Sequence, residues 1–347
     1  MSPEDMYLPR VASHLDIKIP MIFLLRQWTV LTMLPLKFIM KKKESTRRVF
    51  LEEGHLKIGR IHYTNLFPIF YMLEKTSDVS SYDFIEGVPS TLNKLLRDGE
   101  IDVSPSSSIE YLRNENEYTL LEGHSISSFG AVGSILLFST RPIETLDGLT
   151  LLASSQSETS VALLRIILKK FYGIECPLKS TDVPLAKGLE SFPAYLLIGD
   201  DALTAQKAVA HGSSLISERD ENAPLRKLGR TRNVSPVANH ASCLHIYDLG
   251  DIWQRNTDLP FVFALWIARK DCCAVKPVFE RFQEGLDSAK IQALKNLRSI
   301  ARQSPLLTVL SEDEIVSYWQ RMSFDLTRKH KKGLELFRKF AKELKLI

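Results

Sequence analysis

Four short polar clusters stand where predicted strands meet predicted helices, and almost all of their side chains are hydroxyls or amides. They are YTN at 63–65, PSSS at 105–108, HSISSFG at 124–130 and SSQSETS at 154–160. None of them contains a pair of acids, a set of metal ligands or a phosphate-binding loop. The N-terminus of a helix offers free N–H groups and a positive dipole end, so it attracts anions, and nearby hydroxyls would extend such a site. Clusters of this kind facing one cleft would suit a ligand that carries more than one carboxylate.

The residues that we predict to bind substrate come from these clusters and from one later strand end. They are Ser106, Ser107, Ser127, Ser128, Thr159, Ser160 and Asp200. Each hydroxyl has a second interpretation as a helix N-cap, because serine, threonine and asparagine are preferred at that position. For a single strand–helix junction, the interpretation as an N-cap is favoured. Because four junctions have the same kind of cluster, the interpretation as a binding site is equally good. Asp200 and Asp201 follow a predicted strand, where they either belong to a site or stabilise the next helix.

Asn65 is the residue that we predict to be catalytic. Its amide can donate a hydrogen bond to a carboxylate and accept one from a hydroxyl. The alternative is a helix cap, since Pro68 three residues later is well tolerated in the first turn of a helix. His62 is interpreted as structural.

The elements that must position these residues alternate along the chain from residue 56 onward. Strands are predicted at 56–61, 82–89, 101–105, 134–139, 149–154, at the start of 194–203 and at 261–269. Helices are predicted at 68–75, at 90–100 with Ser90 as N-cap and Gly99 as the stop, at 107–116, at 160–173 and through the C-terminal third. Alternation of strands and helices indicates an α/β fold with a mainly parallel sheet. Ligands of such sheets bind at the carboxyl ends of the strands.

The amino-acid composition excludes some classes of function for this chain. The 347 residues are 44% hydrophobic and 25% charged with a net charge of +4, which is typical of a soluble globular protein and does not suggest a nucleic-acid binder. The four cysteines form no zinc or disulfide pattern, so we predict reduced thiols, a reducing compartment and no metal.

Two segments fall outside the regular pattern. Residues 1–55 are predicted to be an extension, disordered or placed before the true start at Met40. Its apolar stretch at 19–40 is interrupted by charges and prolines, so a membrane span is not expected, and a membrane-surface segment is the alternative. Residues 211–242 are polar and aperiodic, and they are predicted to form an exposed, mobile insertion.

Seven segments, in one order, resemble the chorismate dehydratases of menaquinone biosynthesis by the futalosine pathway. They are IGRIHYTNLFP, GVPSTLNKLLRDGEIDVSPSSSIEY, ISSFGAVGSILLFS, SETSVALLRIIL, YLLIGDDAL, YDLGDIWQRNTDLPFVFALW and SFDLTRKHKKGLELF. The chain departs from the family pattern at its first 55 residues, at 211–242 and at Asp258, where the family more often has glycine.

The resemblance implies a two-lobed α/β fold like that of the type II periplasmic solute-binding proteins, with a ligand cleft between the lobes. It places lobe 1 at 56–140 plus 245–347 and lobe 2 at 141–244, joined by two crossings. It also implies a cytoplasmic hydro-lyase without cofactor, which removes water from chorismate to give 3-[(1-carboxyvinyl)oxy]benzoate. The substrate's own enolpyruvyl carboxylate is one possible base, and Asn65 would orient that carboxylate or the departing hydroxyl.

Two other functions stay open at this point. The first is 1,4-dihydroxy-6-naphthoate synthase of the same pathway, which has a similar fold. The second is a solute-binding protein without catalytic activity, which would have to be exported. The oligomeric state is not predicted.

Overall fold

The structure, a computed structural model, describes residues 55–211, 244–273 and 277–347. The predicted extension at 1–55 and the predicted insertion at 211–242 lie outside these residues, apart from one end residue of each. Within the described ranges, no helix has the length and apolar character needed to cross a bilayer.

Eleven strands are present in the described part of the chain. They are β1 (Leu56–Ile61), β2 (Tyr82–Gly87), β3 (Val103–Ser107), β4 (Tyr118–Ser128), β5 (Ile135–Ser139), β6 (Leu151–Ser154), β7 (Leu178–Thr181), β8 (Ala194–Ile198), β9 (His245–Asp248), β10 (Phe261–Arg269) and β11 (Met322–Ser323).

The helices connect these strands and fill most of the C-terminal third. They are α1 (Phe67–Thr76), α2 (Pro89–Asp98), α3 (Ser108–Arg113), α4 (Glu158–Ile166), α5 (Leu185–Ser191), α6 (Gly199–Ala210), α7 (Leu249–Thr257), α8 (Lys270–Cys273), α9 (Pro277–Lys295), α10 (Leu297–Ala301), α11 (Glu312–Arg321) and α12 (Arg328–Glu343). A π-helical stretch, Ile167–Tyr172, continues α4, and short 3-10 turns lie at Ile143–Thr145 and Pro305–Thr308.

The strands form two sheets. The six-stranded sheet has the order β11-β4-β10-β3-β1-β2, and the five-stranded sheet has the order β7-β6-β8-β5-β9. We call the first sheet with its helices the first lobe and the second sheet with its helices the second lobe. Both sheets belong to one compact unit of the chain.

The prediction of a mainly parallel sheet is wrong, because both sheets are mixed. In the first sheet β1 is parallel to β2 and β3, whereas β10 is antiparallel to β3 and β4. In the second sheet β6 is parallel to β7 and β8, whereas β5 is antiparallel to β8 and β9. Within each sheet, helical crossovers connect parallel strands, as between β1 and β2 and between β6 and β7. β5 and β10 arrive from the other sheet, so no such crossover fixes their direction.

The chain passes between the sheets at 129–134 and at 249–260. Asp248 connects the two crossings, since its carboxylate accepts hydrogen bonds from Val132 N at 3.1 Å, Gly133 N at 2.6 Å and Gly250 N at 2.9 Å. Sheet membership places 135–139 and 245–248 in the second sheet, whereas the predicted lobe limits assigned them to lobe 1. The remaining limits stay a prediction.

Two local details separate the predicted helix ends from the observed ones. Gly99 ends α2 in the left-handed conformation, with φ of 76°, as predicted. The N-cap of α2 is Val88 rather than Ser90, because Pro89 occupies the first turn, where its missing N–H has no cost. Asp258 ends α7 with φ of 55°, a conformation that glycine adopts freely and aspartate tolerates.

Candidate active site between the two sheets

A cavity of about 60 Å³ lies between the two lobes. Its wall is formed by side chains from both sheets and from the loops that follow their strands: Ile61, Tyr63, Asn65, Leu66, Pro89, Ser107, Ile126, Ser134, Ile135, Ser157, Ser160, Ile198, Gly199, Phe263 and Ala264. The loops after β1 and β6 contribute, together with the last residue of β3 and the junction of β8 with α6. The cavity is therefore at the carboxyl ends of parallel strands, where the sequence analysis expects a ligand.

Asn65 lines this cavity. Oδ1 is buried and accepts no hydrogen bond within the described part of the chain. The N-cap of α1 is Leu66, and no side chain caps this helix, so Asn65 does not serve as the cap. The turn that holds it is fixed by Leu66 N donating to Tyr63 O at 3.1 Å and by Trp319 Nε1 donating to Thr64 O at 2.8 Å. A rigid turn thus presents an unsatisfied acceptor to the cavity.

Ser107 lines the cavity at the end of β3, whereas Ser106 does not. Ser107 is the N-cap of α3, and its Oγ accepts from Glu110 N at 3.4 Å and from Asn93 Nδ2 at 3.0 Å. Side chains alternate across a strand, so the neighbouring Ser106 points to the other face. Its hydroxyl is buried without a partner in the described chain.

The N-terminus of α4 places two hydroxyls in the cavity wall. Ser157 is the N-cap, and its Oγ accepts from Ser160 N at 3.2 Å and lies 3.0 Å from Ser160 Oγ. Thr159 is not among the lining residues. Its Oγ1 accepts from Ile109 N at 3.0 Å, which joins the second lobe to the first.

Ser127 and Ser128 are not brought to the cavity. Ser127 donates from Oγ to Ser323 O at 3.1 Å, and Ser128 donates from Oγ to Gly130 O at 2.8 Å. Both hydroxyls therefore hold backbone at the edge of β4, where β11 pairs with it. Their neighbour Ile126 supplies the part of this strand that lines the cavity.

Asp200 joins the two lobes next to the cavity. It lies in the first turn of α6, and its carboxylate accepts from Thr64 N at 3.0 Å and from Thr64 Oγ1 at 3.1 Å. Burial raises the pKa of Asp200 above its ordinary value, and the bonds from Thr64 oppose that rise. The residue acts in this structure as a contact between the lobes rather than as part of the cavity wall.

A second contact between the lobes closes the cavity beside Asp200. Tyr63 donates its hydroxyl to Gln156 Oε1. The Tyr63 ring also covers Gly199, where an added Cβ would lie 3.2 Å from the ring carbons. Gly199 has φ of 59°, so the conformation and the close approach both favour glycine.

Three polar lining residues and one supporting residue were not predicted as site residues from the sequence. Tyr63, Ser134 and Ser157 line the cavity, and Asn93 supports Ser107 from α2. Tyr63 and Ser157 belong to clusters that had been identified, and the Ser-x-x-Ser spacing at the start of α4 is the signal for Ser157 as the cap. Ser134 accepts a hydrogen bond from Tyr318 OH at 2.9 Å, a contact that local sequence does not indicate.

The wall is apolar with a few hydroxyl and amide groups, and Tyr63 is its one ionisable side chain among the described residues. Burial, with smaller contributions from Asp201 and Asp200, raises the pKa of the Tyr63 hydroxyl, so it stays neutral. In the described ranges no three histidine, cysteine or acidic side chains come together as a metal-binding group. The arrangement can bind an oxygen-rich ligand, fix its orientation and exclude water.

The sequence is similar to proteins of one biosynthetic family. A family model described as menaquinone biosynthesis matches residues 56–215 and 237–343. A protein of Thermus thermophilus named chorismate dehydratase is 30% identical over 247 residues, which are 70% of this chain and 79% of that protein.

Solved structures with similar architecture have low sequence identity. A protein from Archaeoglobus fulgidus matches with a TM-score of 0.63 at 16% identity, over 85% of this chain and 99% of its own. An alkanesulfonate-binding protein from Xanthomonas axonopodis pv. citri matches with a TM-score of 0.57 at 13% identity, over 84% and 94%. A Candida albicans gene product described as having the generic periplasmic binding protein fold matches with a TM-score of 0.53 at 11% identity, over 84% and 90%. The two-lobed periplasmic-binding-protein-like fold is thereby confirmed.

Proposed function

The chain belongs to the menaquinone biosynthesis family, and from that premise we propose that it is a chorismate dehydratase, a hydro-lyase. It converts chorismate to 3-[(1-carboxyvinyl)oxy]benzoate and water, on the futalosine route and in the cytoplasm. The observation that carries the proposal is the 30% identity to a protein of that name over 79% of its length.

The chemistry of this reaction suits a cavity of neutral groups. Chorismate loses a ring hydroxyl and the proton on the adjacent ring carbon that carries the enolpyruvyl ether. The electrons of the broken C–H bond form the new ring double bond, and the hydroxyl leaves with a proton as water. The ring becomes aromatic, so most of the driving force lies in the substrate. The protein then contributes mainly by fixing geometry and excluding bulk water.

The substrate's own enolpyruvyl carboxylate is the base in this proposal. Among the described residues, the side chains that line the cavity include no carboxylate and no histidine, and Tyr63 is held neutral. The enolpyruvyl carboxylate is attached beside the carbon that loses the proton, so it can reach that proton when its rotation is restricted. Asn65 supplies the restriction, with Nδ2 donating to this carboxylate and Oδ1 accepting from the departing hydroxyl. The second role matches the unpartnered buried Oδ1 of Asn65.

The serine hydroxyls bind the remaining carboxylate oxygens. Ser107 has a proton to donate, because its oxygen already accepts two N–H groups. Ser157 and Ser160 share one hydrogen bond between their hydroxyls, which leaves one of the two protons for a ligand. Hydrogen bonds from neutral donors to a charged carboxylate are among the stronger ones in proteins.

Substrate entry requires the lobes to separate. Sites for ligands of this size usually enclose about 300 Å³ or more, whereas this cavity encloses about 60 Å³. The bonds from Tyr63 to Gln156 and from Thr64 to Asp200 cross between the lobes and would break on opening. The described form therefore corresponds to a closed state.

The test is incubation of the purified full-length chain with chorismate, with product analysis by mass spectrometry. We expect quantitative conversion to 3-[(1-carboxyvinyl)oxy]benzoate, unchanged by a chelator. Bound but unaltered chorismate would instead indicate a solute-binding protein, the function of several proteins that share this fold. If chorismate does not react but the precursor of 1,4-dihydroxy-6-naphthoate does, the chain is the 1,4-dihydroxy-6-naphthoate synthase of the same pathway.

A further inference from the structure

Asn93 is a buried amide just behind the cavity wall. It lies on α2, is 2% exposed, and donates from Nδ2 to Ser107 Oγ at 3.0 Å. Its Oδ1 is buried and accepts no hydrogen bond within the described part of the chain. Buried amides in proteins normally have both ends paired. An asparagine that keeps only the bond to Ser107 is therefore poorly explained by stability alone.

The bond from Asn93 determines what Ser107 can offer to a ligand. A serine hydroxyl has two lone pairs and one proton. Both lone pairs of Ser107 receive N–H groups, one from Asn93 and one from Glu110. The proton has to be donated elsewhere, and Ser107 lines the cavity.

We propose that Asn93 is a positioning residue that makes Ser107 a hydrogen-bond donor to a carboxylate of the ligand. The identity of that ligand, the chorismate dianion, rests on the proposed function. The hydrogen bond between Asn93 and Ser107 does not depend on it.

An aspartate at position 93 reverses this arrangement. A carboxylate has no proton to donate to Ser107 Oγ, and it accepts the Ser107 proton instead. Ser107 then presents a lone pair to the cavity, where it repels a ligand carboxylate. The substitution Asn93→Asp changes few atoms, yet it should abolish the same interaction that Ser107→Ala removes.

The kinetic test is a double-mutant cycle with Asn93→Asp, Ser107→Ala and both together. Loss of one hydrogen bond to a charged group should raise KM for chorismate by about 10- to 100-fold. The bond is made equally to substrate and transition state, so kcat should change far less than KM. In the Ser107→Ala background, Asn93→Asp should raise KM by a smaller factor, because only the repulsion between the new carboxylate and the ligand is left. Asn256→Asp is the control for the change of side chain, because Asn256 also donates through Nδ2, to Ile252 O at 2.8 Å, but is exposed and is not among the residues that line the cavity.

Two kinetic results would overturn the proposal. An unchanged KM in Asn93→Asp would mean that Ser107 already donates to residue 93. A rise in KM that is equally large with and without Ser107 would mean that Asn93 acts only through the general packing of α2. If Asn93→Asp does not fold, Asn93→Ala enters the same cycle, and the same non-additivity is expected with a smaller rise in KM.

A second measurement is independent of the proposed function. With asparagine labelled by nitrogen-15, the side-chain NH₂ signals of Asn93 are assigned as the pair that disappears in Asn93→Ala. Ser107→Ala should shift these signals strongly, since it removes their acceptor. No shift would contradict the proposed orientation of the amide even if the wild type dehydrates chorismate. A clear shift in a chain that leaves chorismate unchanged would keep the inference and refute only the proposed function.

Discussion

Replacing Asn65 by aspartate puts a carboxylate of nearly the same shape into the wall of the cavity. The amide it replaces has a buried, unpartnered Oδ1 and does not cap α1. No hydrogen bond that Oδ1 accepts from the described protein is therefore lost. The carboxylate is less well solvated than in the unfolded chain, so we expect the free energy of unfolding to fall by about 1–2 kcal/mol.

The effect on activity should be much larger, because the substrate carries two carboxylates. Two like charges about 4 Å apart at an effective dielectric constant of about 20 repel by about 4 kcal/mol, which is about 10³-fold in affinity. Asn65→Ala only removes the amide, at a cost of about 1.5–3 kcal/mol for a hydrogen bond to a charged group. The expected order of kcat/KM is wild type, then Asn65→Ala, then Asn65→Asp.

The assay is chorismate consumption followed by absorbance, with the product identified by mass spectrometry and the melting temperature recorded for each variant. Asn296→Asp is the control, since Asn296 is exposed and is not among the cavity residues. An Asn65→Asp enzyme that is as active as Asn65→Ala, or more active, would refute the argument from charge. Wild-type turnover in Asn65→Asp would remove Asn65 from the site altogether.

Three further predictions concern the rest of the site. Ser157→Ala and Ser311→Ala each remove a helix cap, so each should lower the free energy of unfolding measured in urea by about 1 kcal/mol. Only Ser157→Ala should also raise KM. An equal KM in the two variants would show that Ser157 caps the helix and does not bind the substrate. Gly199→Ala adds a Cβ 3.2 Å from the Tyr63 ring at a φ of 59°. It should therefore hinder the closure of the two lobes, raise KM and lower the free energy of unfolding by about 1 kcal/mol. A normal KM would show that substrate binding does not need this closure. Burial raises the pKa of Asp200 in the folded protein, so stability from this group is present at low pH and is lost as pH rises through that raised pKa. Asp200→Asn should therefore flatten the fall of the unfolding free energy above about pH 4, the pKa of a free aspartate. It should keep most of the turnover, whereas a loss above about 10³-fold would indicate that Asp200 takes part in the reaction.

The sequence determined the elements and the edge of the sheet at which the site lies. Runs of apolar residues predicted the ends of β1, β5, β8 and β10 almost correctly. A strand in a sheet that is covered on both sides carries apolar side chains on both of its faces, so it is visible in the sequence as a continuous apolar run. Members of the polar clusters at 63–65, 105–108 and 154–160 line the cavity, whereas the cluster at 124–130 contributes only Ile126. That the hydroxyls bind a ligand stays a prediction. Apolar runs do not indicate the direction of a strand within its sheet. β5 and β10 are antiparallel to their neighbours because the chain enters each of them from the other lobe.

Tertiary structure alone decided which member of each cluster faces the cavity. Ser107 rather than Ser106, and Ser160 rather than Thr159, line it. Which side chain faces the cavity depends on how each strand and helix is rotated toward the other lobe, and that lobe is formed by residues far away in the sequence. Asn93 reaches Ser107 from another helix, and Thr64 reaches Asp200 across 136 positions of the chain. Hydrogen bonds of this kind are set by the packing of whole elements, and their partners leave no local pattern from which they could be read.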